Sequence, residues 1–161
     1  MTKPGYIIAT LVVLAGTAFG LIIQTEEAGA EKPAMTVYKS ATCGCCGDWV
    51  KHMQRAGFEV EPVDVQDLNA VKREHDVHRQ LQSCHTGVTK DGYFFEGHIP
   101  AKVITAFLEN PPDGAKGLAV PGMPMGSPGM EMGKFQPFDV LLVREDGSTS
   151  VYERIESPDY D

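Results

Sequence analysis

Met35-Thr36-Val37-Tyr38-Lys39, then Cys43-Gly44-Cys45-Cys46, then Gly47-Asp48-Trp49-Val50-Lys51-His52-Met53 is the stretch that decides the fold. The first run is β-branched and alternating, the pattern of a strand. The last run has helical spacing, with Trp49, Val50 and Met53 on one face. Three thiols therefore sit at a strand-to-helix turn, where unpaired backbone N–H groups and the helix dipole favour anions. A thiolate is both a nucleophile and a metal ligand, so this turn prepares either chemistry.

Outward from the turn, the spacing predicts a helix to about Ala56, closed by Gly57. Phe58–Val65 alternates as a second strand. Strand, helix and strand in so short a span predict a βαβ unit with parallel strands. Residues 66–82 read as helical and mostly solvated, with His75 and His78 as plain surface histidines. Ser83–Thr89 enters a strand, Asp91-Gly92 turns it, and Tyr93–Glu96 returns. Pro100 opens a helix that buries Val103, Ile104, Phe107 and Leu108, and Pro111-Pro112 stops it. This α/β order, βαβ then helix, hairpin and closing helix, is that of a thioredoxin-like fold. Residues 113–137 read as a long Gly/Pro/Met loop. Phe138–Val143 and Thr149–Ile155, turned at Asp146-Gly147, read as an added C-terminal β-hairpin.

The N-terminal flank differs in kind. Tyr6–Ile23 carries no charge, follows Lys3, and as a helix would span roughly 27 Å, near the thickness of a bilayer core. Ala28-Gly29-Ala30 has the small-x-small form of a cleavage site. Residues 1–30 thus read as a signal peptide or an N-terminal hydrophobic anchor helix, with membrane contact only through residues 6–23. Residues 31–161 are then one domain on the far side of the membrane. The net charge is −8, and no basic cluster exists to neutralise phosphates, so nucleic acid is excluded as a partner.

The candidate site rests on the four cysteines: Cys43, Cys45, Cys46 and Cys84. An exported chain ordinarily oxidises its thiols to disulfides, yet three thiols in four residues make a poor staple. Cys43 and Cys46 have C-x-x-C spacing, the mark of a redox pair. Cys45 counts against clean two-electron exchange, because a third thiol can attack the mixed disulfide. Cys84, with His85 beside it, is expected to face the turn from a neighbouring strand. Four thiolates admit tetrahedral zinc, but three-plus-one spacing cramps a single tetrahedron, and soft sulfur otherwise selects Cu(I). Met123, Met125, Met130 and Met132, four of the chain's seven methionines, add thioethers that stay usable where thiols oxidise. No phosphate loop, G-x-S-x-G elbow or H-E-x-x-H is present, and no catalytic residue is assigned.

Taken together, several blocks resemble the CopG-like copper-resistance family, formerly a domain of unknown function predicted as metal-binding. They are Cys43-Gly44-Cys45-Cys46 with Trp49, Gly57-Phe58, Ser83-Cys84-His85-Thr86, Gly92-Tyr93, Glu96-Gly97-His98-Ile99-Pro100, Gly117–Pro124 and Gly126–Glu131. The resemblance covers roughly residues 35–155. It implies a thioredoxin-like fold in the bacterial periplasm and a cysteine-bridged multinuclear Cu(I) cluster, several copper ions per chain, serving copper tolerance. Carried over, it supports Cys43, Cys45, Cys46 and Cys84 as ligands, and less firmly His85 and the four loop methionines. Storage, transfer to other periplasmic copper-handling proteins, and interconversion of Cu(I) and Cu(II) as a copper oxidoreductase all fit these donors. The competing readings are a thiol–disulfide oxidoreductase acting on exported proteins and a structural zinc protein.

Overall fold

The computed structural model describes residues 33–159. Tyr6–Ile23 and Ala28-Gly29-Ala30 lie outside the described residues. No helix among the described residues is long and apolar enough to cross a membrane.

Alternation in β1 (Ala34–Lys39) buries Met35 and Val37 on one face of a sheet. The chain then turns through the cysteines into α1 (Gly44–Arg55), whose residues Cys46, Trp49, Val50 and Met53 repeat at helical spacing and are buried. Ala56 ends the helix, and Gly57 adopts φ +93°, a conformation costly for any residue with a Cβ. β2 (Glu59–Asp64) returns parallel to β1, completing the expected βαβ unit. β3 (His85–Thr89) runs antiparallel on the other side of β1, with Lys39 opposite His85. That register sets the entry to β3 beside the exit from β1, so Cys84 meets the cysteine turn.

β4 (Phe94–Glu96) pairs antiparallel with β3, and α3 (Ala101–Glu109) follows it. Pro100 is the cap of α3, one place earlier than its expected first-turn position. The first N–H of the helix, on Ala101, donates instead to Nε2 of buried His52 in α1 at 3.0 Å, which ties the two helices together. Trp49, Met53, Phe95, Ile104 and Phe107 share the main core between these helices and the sheet.

Two expectations are corrected and one is extended. The supposed loop at 113–137 contains a strand, β5 (Ala115–Ala119), parallel to β4. Its small residues weaken the strand signal, but Gly117 is needed there: a Cβ would overlap the Phe94 carbonyl. Secondly, β6 (Phe138–Arg144) and β7 (Thr149–Ile155) form the expected antiparallel hairpin, but it is continuous with the main sheet. Through β5 they extend one seven-stranded sheet among the described residues, in the order β2-β1-β3-β4-β5-β6-β7.

Thirdly, residues 66–82 are not one solvated helix. α2 (Leu68–Glu74) is capped by Asp67, whose carboxylate accepts from Ala70 N–H at 3.1 Å. Asp76 then breaks the helix at φ +52°, and a 3₁₀ turn follows at Arg79–Leu81. Val77 and Leu81 pack with Phe94, Ala119 and Val143 as a second, smaller core on the opposite face of the sheet. The adjacent pair Phe94-Phe95 thus fills both cores at once.

Gly117→Ala is expected to lower stability by about 1–3 kcal/mol through overpacking against the Phe94 backbone. A lower urea midpoint with unchanged slope would show it; an unchanged midpoint would mean that β4 and β5 separate freely.

Candidate metal centre

Cys43 is the cap residue of α1, and Cys45 and Cys46 belong to its first turn. Cys43 and Cys46 are joined as a disulfide, while Cys45 and Cys84 are free thiols. Cys45 Sγ lies 3.5 Å from Cys43 Sγ and 4.0 Å from Cys84 Sγ. Cys46 Sγ is 3.5 Å from the Cys84 carbonyl oxygen, to which it can donate once reduced. All four sulfurs fall within 4.8 Å of one another, so two distant segments converge as the sequence reading expects.

A second group shares Cys84: its sulfur and nitrogens of His85 and His98 also lie within 4.8 Å. His98 Nε2 is 2.9 Å from Cys84 Sγ, and His85 Nδ1 is 3.4 Å from it. His98 Nδ1 is 2.7 Å from the Pro128 carbonyl oxygen. A carbonyl can only accept, so Nδ1 carries the proton and the Nε2 lone pair faces the sulfur. His85 is fully buried against the Trp49 ring, at 4.3 Å between centroids, and its Nε2 has no hydrogen-bond partner among the described residues. His98 is absent from the sequence-derived site. Its signal was position alone, two residues beyond Glu96 in a block quoted only for its resemblance.

Burial holds His85 well below the ordinary imidazole range, helped by nearby His98 and Lys72. Burial also lowers His98, against the opposing pull of the Pro128 carbonyl and Glu131. Both rings are therefore neutral near pH 7, the state in which imidazole binds metal. Burial, reinforced by Cys45, pushes the Cys84 thiol up to about 12. A bound cation reverses that preference, since coordination requires the thiolate and releases the proton.

The segment carrying Cys84 and His85 is fixed from behind. Glu96, fully buried, accepts from Ser83 N–H at 2.6 Å and from Thr86 Oγ1 at 2.6 Å, and is ion-paired with buried Lys72. Lys72 Nζ also reaches Thr86 Oγ1 at 3.1 Å. Residues 66–82 read as mostly solvated, and Lys72 is an exception whose burial its partner on the sheet makes tolerable.

The glycine-proline segment lies over the site. Ser83 Oγ donates to the Gly122 carbonyl, Gly122 N–H to the Gln82 carbonyl at 3.3 Å, and Pro128 holds His98. Gly129, at φ +83°, presses so close to α1 that a Cβ would strike the Cys45 carbonyl and the Trp49 amide. Of the loop methionines, Met123, Met125 and Met132 are 52%, 38% and 81% exposed, and Met130 alone is half-buried. His75 and His78 belong to neither metal-competent group.

A family model described as "Protein of unknown function, DUF411" matches residues 81–130, which hold Cys84, His85, His98 and the flap. Two solved structures, "Copper resistance protein copG", Form 1 and Form 2, match with 43% identity and a TM-score of 0.73 each. Form 1 is matched over 79% of this chain and 100% of its own, Form 2 over 78% and 99%. The chain belongs to the CopG-like copper-resistance family. No curated protein matches it. Within the CopG-like match, the cysteine cluster is a candidate metal site whose donor set suits a soft ion such as copper.

Two outcomes follow for the metal-free protein. Glu96→Gln leaves Lys72 buried without its counter-charge, and breaking such a pair costs about 3–5 kcal/mol; chemical denaturation would measure it, and a loss under about 1 kcal/mol would mean that the pair is solvated. Secondly, the folded state disfavours protonated His85 and His98, whereas the unfolded chain protonates them near pH 6.5. Their contribution is complete above about pH 6.5 and declines as pH falls below it. Thermal midpoints recorded from pH 7.5 downward would show the decline; a flat profile would contradict it.

Proposed function

We propose that this chain is a periplasmic copper-binding protein of copper homeostasis, holding several Cu(I) ions in a thiolate-bridged cluster on a thioredoxin-like frame. The observation that carries the proposal is the 4.0 Å approach of Cys84 to Cys45, which joins two distant segments into one four-sulfur site. Ligands are Cys43, Cys45, Cys46 and Cys84, with His98 added by its 2.9 Å contact and His85 by its 3.4 Å contact to Cys84. Three sulfurs on one turn with a fourth from another segment cramp a single tetrahedron, whereas bridging thiolates hold several Cu(I) ions together. Similarity to copper resistance protein copG at 43% identity supports copper as the cargo. Storage, hand-over to periplasmic copper-handling proteins and copper redox interconversion all use this same site. The methionines divide: half-buried Met130 follows Gly129, which supports a role against the cluster, while the exposed three are suited to meeting incoming copper. Export through residues 1–30, by cleavage or as an anchor, completes the proposal.

The Cys43–Cys46 disulfide favours a second reading, thiol–disulfide exchange with exported proteins. An attacking thiolate at a helix N-terminus is what that chemistry needs. Cys45, 3.5 Å from Cys43, competes with it by opening the disulfide from within.

Anaerobic Cu(I) titration of the reduced chain separates these readings. More than one copper per chain, falling on Cys45→Ser or Cys84→Ser, is the expected result. A single tightly held zinc in protein purified without added metal, or disulfide reductase turnover undiminished in Cys45→Ser, would instead favour the structural zinc or exchange readings. N-terminal sequencing of native protein that began at Glu31 would exclude the anchor.

A further inference from the structure

We propose that closing the Cys43–Cys46 disulfide leaves a second, mixed sulfur–nitrogen metal seat intact, built from Cys84 Sγ, His98 Nε2 and His85 Nδ1 and holding one ion. The proposal rests on the copper-binding reading but concerns the oxidised state, which that reading does not address.

The disulfide ties up two of the four sulfurs, and the other two remain free thiols. Three of the remaining donors, on Cys84, His85 and His98, are already gathered within 4.8 Å of one another. With metal–donor lengths of about 2.0–2.3 Å, the ligands of a tetrahedral ion lie roughly 3.3–3.8 Å from one another. Here Cys84 Sγ is 3.4 Å from His85 Nδ1 and 2.9 Å from His98 Nε2. Cys45 Sγ, 4.0 Å from Cys84 Sγ, stands outside this group.

Support comes from behind each donor. The Pro128 carbonyl fixes the His98 tautomer so that the lone pair of Nε2 faces the seat. Glu96 holds the Ser83 amide and the Thr86 hydroxyl on either side of Cys84 and His85. Neither support involves Cys43 or Cys46, so neither depends on whether the disulfide is open or closed. One thiolate with two imidazoles forms a borderline donor set, which takes Cu(I) or Zn(II).

Oxidation then lowers occupancy without emptying the pocket. The balanced step is exchange with an external disulfide. Cys43–SH and Cys46–SH give up two electrons to R–S–S–R, the Cys43–Cys46 bond forms, the external bond breaks, and two R–SH leave. Copper ions that depended on Cys43 and Cys46 lose those ligands, while the ion on Cys84 and the imidazoles keeps its own.

The test is made on the full chain, loaded anaerobically with Cu(I), oxidised with hydroxyethyl disulfide, desalted, and assayed for copper and free thiols. One copper per chain is expected to remain in the oxidised form. His98→Ala should weaken it at least tenfold in bicinchoninate competition, and X-ray absorption should report mixed nitrogen and sulfur neighbours. Because His98→Ala also loosens the flap, a Cys43→Ser/Cys46→Ser variant, which keeps every donor of the seat, provides the second arm and should bind one Cu(I). Loss of all copper on oxidation, a retained copper indifferent to His98→Ala, or no binding by the double-serine variant would each overturn the proposal. A reduced protein that binds only one copper would remove the multinuclear cluster yet leave this seat standing, provided that the oxidised form keeps its His98-dependent ion.

Discussion

Glu96 has no access to water, and the geometry of the site depends on what its carboxylate holds. One oxygen takes the Ser83 amide and the Lys72 ammonium, and the other takes the Thr86 hydroxyl. Between those two anchors lie Cys84 and His85. A buried carboxylate is tolerable only with its charge met and its lone pairs occupied, and Lys72, brought in by α2, meets the charge. The result is a rigid backing for a reactive segment. Small displacements of that segment would open the gap between Cys84 and Cys45, on which any shared metal depends.

Against this backing the cysteine turn supplies the opposite wall. β1 ends and α1 begins where helix-terminal N–H groups favour thiolates, and Trp49 anchors the first turns by donating to the Ile99 carbonyl at 2.9 Å. The flap forms the third wall. Its glycines are there for close approach: Gly129 brings backbone against Cys45 and Trp49 where a side chain would collide. By contributing the Pro128 carbonyl to His98, the flap also sets which ring nitrogen can accept a proton or a metal. A segment read as a methionine source thus acts first through its main chain. Its methionine side chains mostly face outward, and only Met130 is withdrawn from solvent to the degree of the cysteines.

The disulfide adds a chemical state that the donor pattern hides. C-x-x-C spacing at a helix start suits disulfide formation, and a three-thiol turn suits metal, so one motif supports both. Cys45 is the residue that couples them, since it contacts Cys43 on one side and Cys84 on the other.

Local pattern alone determined the βαβ unit, the β3–β4 hairpin, the closing helix and the cysteine turn, because each depends on residues close together in the chain. It also marked Cys84 as a partner of the turn, through polar neighbours and resemblance. Three things were decided only by tertiary structure: β5 within a glycine-rich stretch, the burial of Lys72, and the arrival of His98 beside Cys84. Gly117 reads as a loop residue until Phe94 lies against it, and Lys72 as part of a mostly solvated helix until Glu96 meets it from the sheet. The reason is the same in each case. A contact between residues far apart in sequence leaves no periodicity in either segment, so only the folded chain reveals which small, charged or imidazole-bearing residue was chosen for its distant neighbour.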